Sequence, residues 1–244
     1  MTSSIDFLAW PTPWSGLNRD SRDSFCKARE LTLNLVQWPA RIANSYVPAG
    51  ASTDVRLALD FHRDGSLVTK PFEREIALEL RLPGLELQFQ ECGKQVPHVL
   101  DPEERSPAEV EAWILVELLH RGLDRDKFSK SLPYTIPNLM SGDAEDYAPH
   151  ACAEGLAILT AWFCSAASVI SKLGQVVCMP QTLMLAVPAN GKPTVGFSPG
   201  DAERDEPYFF AAPSGKKKRI LTASELSNEN HPADVAANFI KAAA

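Results

Sequence analysis

The chain has 244 residues, of which 45% are hydrophobic and 23% charged, and its formal net charge at pH 7 is −7. This size fits one large globular domain or two small ones, with one preferred, and the chain is long enough to need no disulfide or metal to hold its core together. The acidic charge disfavours nucleic acid as a partner, because proteins that follow a phosphate backbone carry a basic surface.

The cysteines and histidines favour a reducing compartment without a structural metal. The five cysteines contain no Cys-x-x-Cys pair, and the five histidines are scattered along the sequence. Free buried thiols in the cytoplasm are therefore expected, with no metal and no cofactor. The first residues lack the basic and apolar regions of a secretory signal. The uncharged stretch 155–171 is interpreted as a buried helix, so no membrane association is expected.

The first quarter of the sequence predicts an irregular start, one helix and two strands. Two prolines exclude regular structure from Trp10–Trp14, and its two tryptophans predict that it lies against the body of the domain. A helix is predicted over about 21–30. Alternating apolar residues predict strands at 31–36 and 55–61.

A hairpin is the strongest strand signal in the sequence. Apolar and polar residues alternate over 76–82 and again over 85–89. One buried and one wet face indicate an antiparallel sheet. The intervening Pro83-Gly84 suits a type II turn, so we expect a connection of more than two residues.

Two helices are predicted in the middle of the chain. Ser106, Pro107 and Glu109 form the signature of a capping box, and this helix is expected to end near Gly122. A longer helix is predicted from about 150 to 173. Its apolar residues recur every three or four positions, so we expect this helix to lie across the sheet.

The last quarter predicts three short strands, at 183–187, 194–197 and 208–211, and a C-terminal helix from 232 onward. The sequence therefore predicts an α+β fold, with a mainly antiparallel sheet of about six to eight strands packed against two main α-helices. Residues 1–213 are expected to form a single domain. Residues 214–244 are expected to be an appendage with a basic loop and a short helix.

Common catalytic motifs are absent from the sequence. It contains no P-loop, no Gly-x-Gly-x-x-Gly, no Gly-x-Ser-x-Gly and no His-Glu-x-x-His. These absences argue against the commonest nucleotide-binding, hydrolase and metalloprotease classes.

Two acidic clusters each have two interpretations. The carboxylates of 143–147 beside His150 suit acid–base chemistry or a metal, but capping of the long helix by Asp146 or a neighbour is favoured. The carboxylates of 201–206 could bind a cation. They lack the alternation of a calcium loop, so a solvated loop is favoured.

Arg41 follows Trp38-Pro39, and an arginine beside aromatic residues is suited to clamp an anionic ligand. A surface salt bridge or a stacking contact is the favoured interpretation of Arg41. A ligand site is predicted from five residues, with no metal among them: Trp38, Arg41, Tyr147, His150 and Tyr208.

Three segments, taken in order, resemble a mostly bacterial family known as domain of unknown function 5996. They are the early Trp10–Trp14 and Thr32–Leu35, the central Tyr134–Pro137 and Asp146-Tyr147 before Trp162, and the late Gly196–Asp201 and Pro207–Pro213. The family usually has tryptophan at the position of Ser198, and a more aromatic ending than Phe209–Ala212. The family carries no established activity, so the resemblance implies fold and extent only.

Two classes of function stay open from the sequence. The first is a small-molecule-binding protein or unrecognised enzyme, with its pocket between the sheet and the long helix. The second is a non-enzymatic protein–protein interaction or scaffold protein. The expected partner is a small-molecule ligand or a protein, and neither nucleic acid nor a membrane.

Overall fold

The computed structural model describes Trp14, Leu17 and residues 19–48, 53–82, 84–189, 192–212 and 218–242. The α-helices are α1 (Arg19–Leu35), α2 (Gln37–Tyr46), α3 (Thr53–Leu57), α4 (Pro107–His120), α5 (Ala153–Ile170), α6 (Ala223–Leu226) and α7 (Pro232–Lys241). The strands are β1 (Leu59–Phe61), β2 (Ser66–Val68), β3 (Ile76–Arg81), β4 (Glu86–Glu91), β5 (Lys94–Leu100), β6 (Val177–Met179), β7 (Met184–Ala189), β8 (Lys192–Ser198), β9 (Tyr208–Ala211) and β10 (Arg219–Thr222).

All ten strands belong to one antiparallel sheet, in the order β10-β9-β8-β7-β6-β1-β2-β3-β4-β5. Two meanders run outward from the centre, where β1 pairs with β6. Helices α4 and α5 carry the chain from the outer strand β5 back to the central strand β6. The α+β, mainly antiparallel prediction is confirmed, although the sheet has more strands than the six to eight expected.

The predicted hairpin is formed by β3 and β4. Leu78 pairs with Phe89 and Leu80 with Leu87, and all four side chains are buried. On the opposite face, Arg81 donates a hydrogen bond to the amide oxygen of Gln88 over 2.7 Å. One face therefore packs on the helices, as the alternation predicted. The other carries a polar network but is not wet, because Glu79 is 1% and Gln88 6% exposed.

The helices pack on the apolar face of the sheet, with α5 over β7 and β8, and α2 over β3. Helix α1 lies along α5, and their closest approach is at Gly155, whose backbone N–H donates to the Ser24 hydroxyl over 3.0 Å. Trp14 packs against Trp162 of α5, with ring centroids 5.5 Å apart. The predicted contact of the early tryptophan segment is thus confirmed for Trp14, while residues 1–13 lie outside the described residues.

The long apolar helix is a core element. Pro149–Leu173 is the one helical stretch among the described residues that is long and apolar enough to cross a membrane. Of its most apolar 18 residues, 56% are buried inside the protein. Its predicted stripe faces inward, with Leu156, Leu159 and Phe163 at most 1% exposed. This burial fits the interpretation of a core helix under the sheet.

One predicted strand is helical instead, and a second is helical over its first part. Residues 31–35 continue α1, because Thr32 and Asn34 are themselves buried and donate hydrogen bonds to the carbonyls of Ala28 and Glu30. Both sets of alternating residues therefore face protein, and the apparent period of two was not a strand signal. The prediction over 55–61 was wrong for Val55 and Leu57, which lie in α3, and right only for 59–61.

The described part of the predicted C-terminal appendage belongs to the sheet and its core. Strand β10 pairs with β9, and α7 packs against α5 and β9. Ile240 of α7 is only 1% exposed. The pairing extends the sheet by one strand beyond β9, which accounts for the difference from the predicted boundary at 213.

Candidate functional site

Three of the five predicted site residues meet in the structure: Trp38, Arg41 and Tyr147. The indole nitrogen of Trp38 donates a hydrogen bond to the Tyr147 hydroxyl over 3.1 Å. The guanidinium of Arg41 stacks over the Trp38 ring, 4.3 Å from its centroid. These three residues are called the Arg41 site below.

Helix α2 brings Trp38 and Arg41 together because residues three apart lie on the same side of a helix. Pro39 between them falls in the first turn, where a missing N–H costs nothing. Eight of the ten residues of α2 are buried. The site is therefore built on a helix fixed inside the core.

The irregular segment 131–149 supplies Tyr147 and covers α2. Side chains of the first two helices hold this segment by polar contacts. Asn34 of α1 accepts a hydrogen bond from the Met140 backbone N–H over 2.7 Å. The hydroxyl of Tyr134 donates to the side-chain oxygen of Gln37 over 2.9 Å.

Arg41 is a buried cation without a partner carboxylate. It is 6% exposed, and no carboxylate of the described residues forms a salt bridge with it. Its Nε atom has no hydrogen-bond partner. Burial lowers the pKa of Arg41, and the charge of Glu111, whose ion pair is with Lys130, acts weakly in the opposite direction. An arginine nevertheless stays protonated at neutral pH. A buried charge without a partner is costly, so this site has the electrostatic character of an anion receptor.

The tyrosines of the site remain hydrogen-bond donors. Burial raises the pKa of Tyr147 and of Tyr134, so both hydroxyls are protonated at neutral pH. The Tyr147 oxygen accepts from Trp38, and no hydrogen bond from its hydroxyl to a described residue is present. Arg41 and Tyr147 therefore both have hydrogen-bond donors that no described residue uses, and neither side chain is negatively charged.

Two cavities flank the helical layer. One of about 370 Å³ lies between α1 and the 131–149 segment, and its wall includes Lys27, Asn34, Met140, Asp146 and Cys152. The other, of about 580 Å³, lies between α5 and the ends of β1 and β6, and its wall includes Phe61, Arg63, Cys164, Ser168 and Gln175. The second lies between the sheet and the long helix, but none of the five predicted residues lines either cavity.

His150 and Tyr208 lie apart from the Arg41 site. The His150 side chain is 76% exposed, with its Nδ1 3.5 Å from a carboxylate oxygen of Glu103. Tyr208 lies on β9, where its hydroxyl donates to Asp201 over 2.5 Å. Their inclusion in one site with Arg41 is therefore not supported by their positions.

The two acidic segments differ: residues 143–147 do not cap the long helix, whereas residues 201–206 stabilise their own turn. No side chain caps α5, so the prediction that Asp146 or a neighbour does so was wrong. A 3-10 turn over Pro149–Cys152 precedes the helix, and Ser24 of α1 accepts the hydrogen bond from Gly155. In the 201–206 loop, Asp201 accepts from the backbone N–H groups of Glu203 and Arg204, as expected for a turn.

One group of neighbouring polar residues was not predicted from the sequence. His98 of β5 lies beside Glu117 and His120 of α4, with 3.0 Å between His98 Nδ1 and Glu117 Oε1. The histidines scattered in sequence are thus not all scattered in space, so their spacing along the chain does not exclude a metal site. The Glu117–His120 spacing places both on one helix face and was the available signal.

No family model matches this chain, and neither a curated protein nor a solved structure matches it. The resemblance to domain of unknown function 5996 therefore stays a prediction. At the position where that family usually has tryptophan, Ser198 is 2% exposed and its hydroxyl accepts the Gly200 backbone N–H over 3.2 Å. Here the residue stabilises a turn after β8.

Proposed function

We propose that this protein binds a small anionic molecule at the Arg41 site. The observation that carries the proposal is the guanidinium of Arg41, which is buried and has no carboxylate partner among the described residues. Protein charges removed from water are normally paired, because desolvation costs several kcal/mol. An anionic ligand would supply the missing partner.

The geometry favours a carboxylate or phosphate group. The planar fork of arginine matches two oxygens of such a group, and the Trp38 face holds that fork in one plane. The Tyr147 hydroxyl would donate to the same group. Ligand entry requires displacement of the 131–149 segment from α2, where it is held by polar anchors such as Tyr134.

A binding role suits the site better than nucleophilic chemistry. Cys152 and Cys178 are buried, and burial raises the pKa of both thiols, which disfavours the reactive thiolate. We also propose that the protein is cytoplasmic, because free thiols are typical of a reducing compartment. The interaction alternative has less support, because the exposed large hydrophobic residues in the described part are few: Val99, Val116, Leu119 and Leu139.

Thermal unfolding in the presence of anions tests the proposal. Wild-type protein is titrated with phosphate, acetate, citrate and chloride at constant ionic strength, alongside Arg41→Met. A specific anion raises the Tm of wild-type protein because it binds the folded state alone. Arg41→Met removes the unpaired charge and keeps an apolar chain over Trp38. We expect this variant to be at least as stable as wild type without ligand, and to lose the anion response.

Arg56→Met is the matched control, because Arg56 lies nearby, donates to the Asn44 side chain over 2.7 Å and changes the net charge equally. The control should keep the full anion response. Arg41→Lys should bind more weakly, since an ammonium lacks the two-pronged fork. Equal anion responses in wild type and Arg41→Met would refute the proposal. A variant less stable than wild type, with no anion response in either, would assign Arg41 a purely structural role.

A further inference from the structure

His98, Glu117 and His120 form a cluster of potential metal ligands at one end of the sheet. The Nδ1 atoms of the histidines lie 3.0 Å and 3.6 Å from the same Glu117 oxygen, Oε1. One ligand atom from each residue can be chosen so that all lie within 4.8 Å of one another. Three donors therefore converge on one small volume.

The fold fixes the carboxylate and leaves the imidazoles at the surface. The Glu117 side chain is 3% exposed, against 62% for His98 and 55% for His120. Arg121 binds the second carboxylate oxygen, Oε2, over 2.6 Å. The carboxylate is thus oriented with Oε1 toward the two histidines and the solvent.

We propose that His98, Glu117 and His120 bind a divalent transition-metal ion of the zinc class. Imidazole nitrogen and carboxylate oxygen suit zinc, cobalt, nickel or ferrous iron, and suit magnesium and calcium poorly. Ligands about 2.1 Å from a tetrahedral ion lie about 3.4 Å from one another, close to the separations of both histidines from Oε1. Small side-chain adjustments bring all three donors onto one ion.

The charges around the cluster favour a cation over a simple ion-pair network. Arg121 pairs with Oε2 of Glu117 and leaves Oε1 available to a cation. The carboxylate of Glu91, 3.2 Å from the Nε of Arg121, restores a net negative charge to the group. A residue that holds the other oxygen of a ligating carboxylate, as Arg121 does here, typically fixes the orientation of the metal ligand.

Three protein ligands on an open surface leave at least one coordination position for water. This arrangement is typical of zinc sites that act on a substrate, whereas structural sites close the shell with four protein ligands. The cluster lies wholly on β5 and α4, and it does not include any residue of the Arg41 site. The two proposals therefore stand or fall separately.

Metal titration of the full-length protein tests this site. Protein freed of metal by chelator is titrated with Zn²⁺ by calorimetry, and with Co²⁺ by absorption spectroscopy. We expect one ion per chain at this site, a cobalt spectrum without thiolate charge-transfer bands, and no competition from Mg²⁺. His98→Gln and His120→Gln should each lower zinc affinity by at least roughly 10–100-fold, the loss that is typical when a residue that only orients a metal ligand is removed. The double variant should lose the site.

Both histidines are exposed, so these variants are expected to fold normally, which circular dichroism checks. His150→Gln is the matched control, because His150 also lies beside a single carboxylate, Glu103, but has no second histidine there. The control should bind zinc as wild type does. The proposal is overturned if the His98→Gln/His120→Gln double variant keeps wild-type zinc affinity, or if the wild type binds no zinc.

Discussion

The indole N–H of Trp38 donates to the hydroxyl of Tyr147, and each of the two residues is only 1% exposed. The bond joins the first turn of α2 to the 131–149 segment, 109 residues later in the chain. Trp38 in turn supports the guanidinium of Arg41 on its face. The position of this cation thus depends on a buried bond between two distant parts of the sequence.

Tyr147→Phe is expected to destabilise the protein by about 1–3 kcal/mol, the cost of leaving one buried donor without an acceptor. The phenylalanine ring fills the same space, but the Trp38 N–H loses its partner. Equilibrium unfolding in urea measures the difference. Tyr46→Phe should cost less, because the acceptor of the Tyr46 hydroxyl is the backbone oxygen of Asp124, an exposed residue that water can solvate. Equal losses in the two variants would contradict this account.

Gly155→Ala is expected to be strongly destabilising because the two long helices touch there. A Cβ atom on Gly155 would lie 2.1 Å from the backbone oxygen of Ser24, which no side-chain movement relieves. Overpacking of this kind costs about 1–3 kcal/mol or more, because α1 and α5 must move apart.

The Tm of Gly155→Ala should therefore fall well below that of a matched glycine variant. Gly84→Ala is that control, since its Cβ would meet only the flexible side chain of Glu86, at 3.4 Å. A Gly155→Ala protein that unfolds at the same temperature as Gly84→Ala would show that the helices separate at little cost.

Local signals predicted the fold best where one stretch of sequence was sufficient. The capping box of Ser106 and Glu109 is present as predicted, because both partners lie within one helical turn. The β3–β4 register follows the same logic, since adjacent strands alternate together. The strand prediction for residues 31–35 was wrong because Thr32 and Asn34 are buried and hydrogen-bond to backbone carbonyls inside α1.

The candidate sites were only partly predictable, because they depend on contacts between distant segments. Trp38 and Arg41 share a helix, so their proximity followed from spacing alone. His150 and Tyr208 were grouped with them by residue type, and the strand pairing and the turn before α5 place them elsewhere. The contact of His98 with Glu117 depends on how α4 lies against β5, which no local pattern encodes.

Asp201→Asn is expected to lower stability in a pH-dependent way. Partial burial of Asp201 acts against its ionisation, but hydrogen bonds from the Tyr208 hydroxyl and from two backbone N–H groups outweigh that effect and lower the pKa of Asp201. A carboxylate with a folded pKa below its unfolded value contributes stability that is fully present above the unfolded pKa, about 3.9 for aspartate. That contribution is lost as the pH falls through the folded pKa.

Urea unfolding at pH 7 should therefore show Asp201→Asn to be less stable than wild type, and the difference should shrink as the pH falls below about 4.

At the alkaline end, burial and the bond to Asp201 raise the pKa of Tyr208 to about 12. The stability that Tyr208 contributes should therefore decline as the pH rises from about 10, the ordinary tyrosine value, toward its folded pKa.

Asp205→Asn is the control for Asp201→Asn, because the contact of Asp205 with Arg22 is an exposed ion pair of small effect. A stability difference between Asp201→Asn and wild type that stays constant from pH 7 to pH 3 would show that the Asp201 charge does not hold the β8–β9 turn.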